Sequence, residues 1–209
     1  MVDPVADSEC EARYASGGSP NQRRLLRDRV IAGKVCNKMQ RIRPVIRLLE
    51  SQDISDIAEA FQHLGWNKPA SQYERYLMEQ AEKIRDVYVA FIQKEFAGYL
   101  TIGWNSLYEP SRKEKIPEIV DFNVLPKFRR QGIGTQLMDE AESEIAKVSP
   151  IAGIGVGMVP DYGAAQRLYV LRGYVPDGRG LHYKGHPINY GEDITVDDSL
   201  ALYLTKKLK

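Results

Sequence analysis

Between Val124 and Thr135 the chain reads Val-Leu-Pro-Lys-Phe-Arg129-Arg130-Gln131-Gly132-Ile133-Gly134-Thr135. A strand-like run ends at Pro126, and an amphipathic run begins directly after the glycines. Arginines and glycines in that setting make an anion cradle. The glycines let the backbone approach a ligand closely, and the first N–H groups of a helix have no partner of their own. The positive end of the helix dipole and two guanidinium groups favour phosphate oxygens. The pattern R-x-x-G-x-G alone is weakly specific, arising by chance in roughly one chain of this length in fifteen. A turn with solvated arginines is its plain alternative. Neither nucleotide fingerprint fits: there is no GxxxxGK[ST], and no GxGxxG follows a strand. Metal chemistry has little material, with two cysteines (Cys10, Cys36) and three histidines (His63, His182, His186). His182 and His186 stand four apart in a Gly/Pro-rich stretch, a poor ligand spacing, and no cysteine is near.

The elements around the cradle follow from hydrophobic periodicity. RIRPVIRLL (41–49) reads as an opening strand. Asp53 begins a helix that places Ile54, Ile57, Ala58, Phe61 and Leu64 on one face and closes at Gly65. Ser71-Gln72-Tyr73-Glu74 reads as a capping box opening a second helix, with Tyr73, Leu77, Ala81 and Ile84 turned inward. Three strand-like runs follow, 87–93, 97–104 and 116–125, with a polar hairpin after the first and a charged loop (109–115) after the second. Ile133, Leu137, Ala141 and Ile145 mark an amphipathic helix over about 131–147. A strand (151–159), a helix (161–172, stopped by Gly173), a Gly-rich loop (177–192) and a last strand (200–205) complete the order. The expected fold is α/β (α+β): a mixed central sheet with helices on both faces.

A second motif lies downstream of the cradle: Asp161-Tyr-Gly-Ala164-Ala165-Gln-Arg-Leu168-Tyr169-Val-Leu-Arg-Gly173-Tyr174. The strand, the R-x-x-G-x-G loop and the helix after it resemble the acyl-CoA-binding motif of the GNAT superfamily of N-acetyltransferases. The second stretch resembles that family's N-x-x-A-x-x-L-Y-x-x-x-G-F, with Asp161 for Asn and Tyr174 for Phe. The resemblance covers residues 40–209. It implies a mostly antiparallel sheet whose central strands, 116–125 and 151–159, splay apart around acetyl-CoA as cosubstrate, with no metal. Phe122, Asn123 and Val124 are then expected to pair with the pantetheine arm as an added strand. The pyrophosphate is expected on the amides of Arg130, Gln131, Gly132, Ile133, Gly134 and Thr135, with Arg129 supporting the loop.

The implied reaction is direct attack of a primary amine on the thioester in a ternary complex. The amine must lose a proton, the carbonyl oxygen needs a donor, and the departing thiolate benefits from protonation. Tyr169 occupies the family's tyrosine position and is the expected general acid; its alternative is a packed aromatic that orients the sulfur. Glu118, 11 residues before Arg129, stands where histone-acetylating members place a glutamate, and is the leading candidate base. Asp121 and a water chain are the alternatives; three residues on, Asp121 is expected on the opposite strand face from Glu118. Asp161 is expected to cap the helix that follows. The loop with His182 and His186 is expected to form a lid over the acceptor, and His63, Trp66 and Tyr73 a wall of its pocket. A non-catalytic acyl-CoA sensor is the competing reading.

Composition bounds the rest. The chain has 209 residues, 43% hydrophobic and 27% charged, and a formal net charge of +1. No apolar run reaches 18 residues, the N-terminus lacks a signal-peptide pattern, and two cysteines fit a reducing compartment; a cytoplasmic protein is expected. The neutrality is a sum of two parts. Residues 1–47 carry +5, while residues 48–209 carry −4. Residues 1–38 are expected to be a flexible extension with a basic helix, and 39–209 the catalytic domain. The basic stretch lacks aromatic interleaving, so nucleic acid is a disfavoured partner and a solvated helix face the better reading. The expected partner is a small-molecule or peptide amine; a homodimer is admitted, and membrane binding is not.

Overall fold

Strand β1 (Val45–Leu48) begins directly after Pro44, which has no N–H to give to a ladder. The computed structural model describes residues 43–208, so the expected arm of residues 1–38 lies outside the described residues. After a 3₁₀ turn, helix α1 (Ile54–His63) buries Ile57 and Phe61 but leaves Leu64, expected on the same face, exposed at its C-cap, and it ends at Gly65, whose φ of +69° is the left-handed stop that glycine tolerates. Asp53 ends that turn and is itself buried, held at 2.7 Å by both Nη atoms of Arg47.

Helix α2 (Ala70–Ala81) differs from its sequence reading. Its N-cap is Pro69 and no side chain caps it, so Ser71 lies inside the first turn and no capping box forms. The buried pair is Tyr73 and Tyr76, not Tyr73 with Ala81 and Ile84, both of which are exposed. The face is rotated because the two phenols, three residues apart, bury more area against the sheet than Ala81 could.

Strands β2 (Arg85–Ile92) and β3 (Glu95–Gly103) form a hairpin whose turn residues, Gln93 and Lys94, both have positive φ. The expected charged loop instead contains a short helix, α3 (Glu109–Lys113), with Pro110 near its start and a Glu109–Lys113 ion pair across one turn. Then come β4 (Glu118–Val124), α4 (Ile133–Ala146), β5 (Ile151–Gly157), α5 (Gly163–Leu171), β6 (Val175–Tyr183), the two-residue β7 (His186–Pro187) and β8 (Leu200–Lys207). Strand β6 thus occupies the first part of the stretch expected as loop. Asp161 lies in a 3₁₀ turn, Tyr162 is the N-cap of α5, and no side chain caps either element, so Asp161 does not cap the helix.

The eight strands form one sheet in the order β1-β2-β3-β4-β5-β8-β6-β7. Every neighbouring pair is antiparallel except β4–β5, which is parallel and pairs only at Glu118↔Gly153 and Ile119↔Ile154. Both strands run on for several residues past that point, so they part. Helices α1 and α2 cover one face, where Phe61 and Tyr73 meet Tyr99 edge-on. Helix α4 crosses β2 to β5 on the other face and buries Ile133, Leu137, Met138, Ala141 and Ile145. Among the described residues no helix is long and apolar enough to cross a membrane.

Candidate active site

The parting of β4 from β5 has a local cause. Between Thr101↔Val120 and Tyr99↔Asn123, one residue of β3 (Leu100) opposes two of β4 (Asp121 and Phe122). The extra residue makes a bulge at Asp121, whose φ is +49°. Gly98 permits it: a Cβ there would lie 2.5 Å from the Asn123 carbonyl oxygen. Beyond Ile119, β4 makes no pairs with β5, so its backbone edge from Val120 to Val124 is open to an added strand.

The bulge also revises an expectation. Directly paired residues share a sheet face, so Glu118 (opposite Gly103) and Val120 (opposite Thr101) lie on the Tyr99 face, under α1 and α2. The inserted residue shifts the alternation, and Asp121 reaches the same face. Its carboxylate accepts a 2.5 Å hydrogen bond from Tyr99 Oη. Glu118 and Asp121 are therefore on one side of the sheet, not on opposite sides.

Their surroundings differ. Glu118 is 8% exposed and accepts a hydrogen bond from the Ser106 hydroxyl. Burial pushes its carboxyl above the usual glutamate range, against the opposing pulls of the Ser106 bond and the more distant Arg85. Asp121 accepts from Lys68 Nζ, from Asn123 Nδ2 at 3.0 Å, and from Gln72 Nε2 and Tyr76 Oη at 2.9 Å, besides Tyr99.

Strand β5, Ile-Ala-Gly-Ile-Gly-Val-Gly, gives the face beside Glu118 its shape. A Cβ on Gly155 would lie 3.1 Å from Tyr203 and 3.5 Å from Glu118 Oε1; one on Gly157 would lie 2.6 Å from the Tyr162 ring. The glycines leave a bare strip on which Tyr203 and Tyr162 lie. Tyr203 stacks on Tyr108 at 3.6 Å, and burial, then the charge of Glu118, pushes its phenol up to about 12. His182 stands edge-on to both rings and is 4% exposed. It is thus a sheet residue of β6, not part of a lid; His186 is exposed on β7.

On the other side lies the loop before α4, the expected anion cradle. Arg130 and Gly132 have φ of +59° and +83°, and Gly132 is the N-cap. Arg129, Arg130, Gln131, Gly132 and Thr135 are exposed, whereas the Ile133 side chain is in the core, leaving only its backbone available. Arg129 Nε donates to the Val124 carbonyl at 3.0 Å, and its guanidinium lies 5.9 Å from the centre of the Trp66 ring. At Gly134 a Cβ would press on Phe122 at 3.1 Å. These residues fit a pyrophosphate: exposed amides at a helix start, with basic side chains beside them. Tyr169 is on α5, 5% exposed, and burial raises its phenol well above the ordinary tyrosine range.

The expected acceptor wall is corrected in part. Tyr73 is fully buried among Phe61, Tyr76 and Tyr99 and faces no cleft. His63 is exposed and lines a separate cavity of about 440 Å³ between α1, the β2–β3 hairpin and Leu125–Lys127. Sequence reasoning missed Ser106, Lys68, Tyr76, Tyr108 and Tyr203. Only Tyr76 carried a signal, its i+3 spacing from Tyr73; the others meet the site through long-range packing.

The acetyltransferase (GNAT) family model matches residues 51–174, from the turn before α1 to the end of the second motif. The chain belongs to the GNAT family of acetyltransferases. Acetyl-CoA is the cosubstrate of this family. No curated protein matches the chain. Solved structures match over most of its length. An N-acetyltransferase from Staphylococcus aureus Mu50 is 16% identical, with a TM-score of 0.60, covering 80% of this chain and 99% of its own. The ribosomal-protein-alanine N-acetyltransferase from Brucella melitensis is 18% identical, with a TM-score of 0.58, covering 78% and 99%. The yncA protein from Salmonella typhimurium, solved with its cofactor acetyl-CoA, is 16% identical, with a TM-score of 0.56, covering 79% and 94%. At these identities the likeness is one of fold. Among the described residues no group of three or more His, Cys, Asp or Glu side chains could hold a metal ion.

Proposed function

We propose that this GNAT member transfers an acetyl group from acetyl-CoA to a primary amine of a small molecule or peptide, by direct attack, within a catalytic domain spanning 39–209. When bound, acetyl-CoA supplies an activated thioester carbonyl. The open edge at Phe122, Asn123 and Val124 is the proposed partner of the pantetheine arm. The amides of Arg130 to Thr135 are the proposed phosphate site, with Arg129 bracing the loop.

One observation supports the assignment of the base: the unequal coordination of the two carboxylates. A carboxylate offers about four lone-pair sites. Asp121 already accepts from five donors, so it has none left for an amine proton. Glu118 accepts from Ser106 and keeps lone pairs available. Its raised affinity for protons also suits a base, since proton transfer is most effective when the acceptor's pKa approaches the working pH. Glu118 is accordingly assigned the amine proton. The acceptor would lie on the Glu118 face of the parted strands, beside the Tyr203 and Tyr162 rings that cover the β5 glycines.

Tyr169 is assigned the departing sulfur. Its raised pKa keeps the phenol protonated through neutral pH, so it acts first as a hydrogen-bond donor to the developing thiolate. The test is acetyl transfer to a panel of amines, polyamines, aminoglycosides and peptides, with CoA release as the readout. Turnover on at least one amine, lost in Glu118→Gln with CoA affinity intact by calorimetry, supports the proposal. CoA binding with no turnover on any acceptor would instead make the chain a sensor of acyl-CoA.

A further inference from the structure

The five donors around Asp121 come from four places in the fold. They are the loop between α1 and α2 (Lys68), helix α2 (Gln72, Tyr76), strand β3 (Tyr99) and β4 itself (Asn123). The carboxylate sits on the residue that makes the bulge, in the left-handed region that non-glycine residues seldom occupy. Such a conformation persists only where the surroundings over-determine it, and here they do.

The loop that provides Lys68 has a second attachment. The Lys68 N–H donates to the Trp66 carbonyl at 2.9 Å, so the two residues form one tight turn. Trp66 stacks on Phe61 at 5.6 Å and carries the Arg129 guanidinium at 5.9 Å. Arg129 in turn holds the Val124 carbonyl, at the end of the open strand edge. Segment 66–68 therefore touches the cofactor strand through Lys68–Asp121 and the head of the phosphate cradle through Trp66–Arg129.

We propose that Asp121 is a positioning residue: it ties segment 66–68 to β4, so that filling of the Arg129–Thr135 cradle by CoA orders the loop on the opposite, acceptor side of the strand. The proposal rests on the cofactor reading above. Phosphate in the cradle restrains Arg129, Arg129 restrains Trp66, and the turn passes that restraint to Lys68. The chain of contacts transmits order only while Lys68 has its counter-charge. Without it, an ammonium group remains beside Tyr99 with one hydroxyl acceptor, 3.0 Å away, and the loop loses its hold on the strand.

The test is amide hydrogen exchange on the full-length chain, with and without CoA. In the parent protein, amides 64–68 are expected to slow at least fivefold when CoA binds. In Asp121→Asn and in Lys68→Met that slowing is expected to vanish, while Lys68→Arg, which keeps the charge, retains it. The double variant should lose no more than either single variant, because one ion pair is removed in each. Protected amides in β2 and β3 establish that each variant is folded, and Lys68→Met carries the test if Asp121→Asn is not. CoA-dependent protection of the loop that survives in both folded variants would overturn the proposal, as would CoA binding to the parent that leaves the loop unchanged. Failure of the parent to bind CoA at all would overturn the cofactor reading itself.

Discussion

Glu118 and Tyr169 take opposite consequences from the same cause. Burial raises both pKa values. If Glu118 is the base proposed above, its raised pKa lowers its ionised fraction, and kcat/KM should rise with pH along an acidic limb lying above the ordinary glutamate range. Glu118→Gln should lose that limb and about 100-fold or more in kcat, the usual worth of a proton-transfer group. The sign for stability follows. A carboxyl whose folded pKa is raised favours the folded state at low pH, and that advantage is lost as pH rises through the folded value. Glu118→Gln, neutral throughout, should therefore gain in melting temperature over the parent as pH rises above the ordinary glutamate range; a pH-independent difference would show that the folded pKa of Glu118 is not raised. For Tyr169, loss of the hydroxyl in Tyr169→Phe should lower turnover at least tenfold, about 1.4 kcal/mol of transition-state stabilisation. Binding of acetyl-CoA should be nearly unchanged by calorimetry. Unaltered turnover would remove the phenol from the chemistry and leave a packing role.

At the scale of elements, two glycines hold the cofactor strand in shape, and they tolerate a side chain differently. At Gly98 the obstacle is the backbone carbonyl of Asn123, 2.5 Å from where a methyl group would sit, and backbone cannot swing aside. Gly98→Ala should cost about 1–3 kcal/mol, as overpacking does, and should weaken CoA binding together with stability because the bulge itself is displaced. At Gly134 the obstacle is the Phe122 ring at 3.1 Å, which can give way. Gly134→Ala should leave the melting temperature within about 2 °C and weaken CoA several-fold by crowding the cradle. Equal effects of the two variants on thermal melting would contradict this division. Helix α5, which carries Tyr169, is fixed to α4 by Arg172. Its guanidinium meets Glu142 at 2.8 and 2.9 Å and Asp139 at 2.7 Å, and Lys206 of β8 meets Glu142 at 2.6 Å. The helix that follows the cradle and the helix that carries Tyr169 are thus linked through one guanidinium, which binds two carboxylates of α4.

At the scale of the molecule, β4 and β5 pair only at two positions, so a ligand bound between them, as proposed for CoA, should stabilise the whole domain. CoA at 100 times its dissociation constant should contribute about 2.7 kcal/mol. For a domain of this size that is roughly 5–10 °C in melting temperature. A chain of residues 39–209 should show the same shift and the same affinity; a smaller shift in the shortened chain would assign residues 1–38 a role in cofactor binding.

Sequence alone determined the parts of this protein whose physics is local. The cradle is a matter of which residues precede a helix, and R-x-x-G-x-G with Ile133, Leu137, Ala141 and Ile145 is legible one turn at a time. So were the buried face of α1, the stop at Gly65 and the second motif, and with them the GNAT family and its mixed sheet. Tertiary structure decided what depends on register and long-range packing. Asp121 shares a face with Glu118 because one extra residue in β4 is accommodated opposite Leu100, and a period-of-two count cannot register an insertion that only the partner strand reveals. Helix α2 turned Tyr73 and Tyr76 inward because Tyr99 and Asp121 wait there, the second of them 45 residues along the chain from Tyr76. The two carboxylates, alike on paper, were separated by their neighbours: one hydrogen-bond donor, Ser106, meets Glu118, and five donors from four places in the fold surround Asp121. Hydrogen-bond partners are assembled in three dimensions, and their unequal distribution is what supports Glu118 over Asp121 as the proposed base.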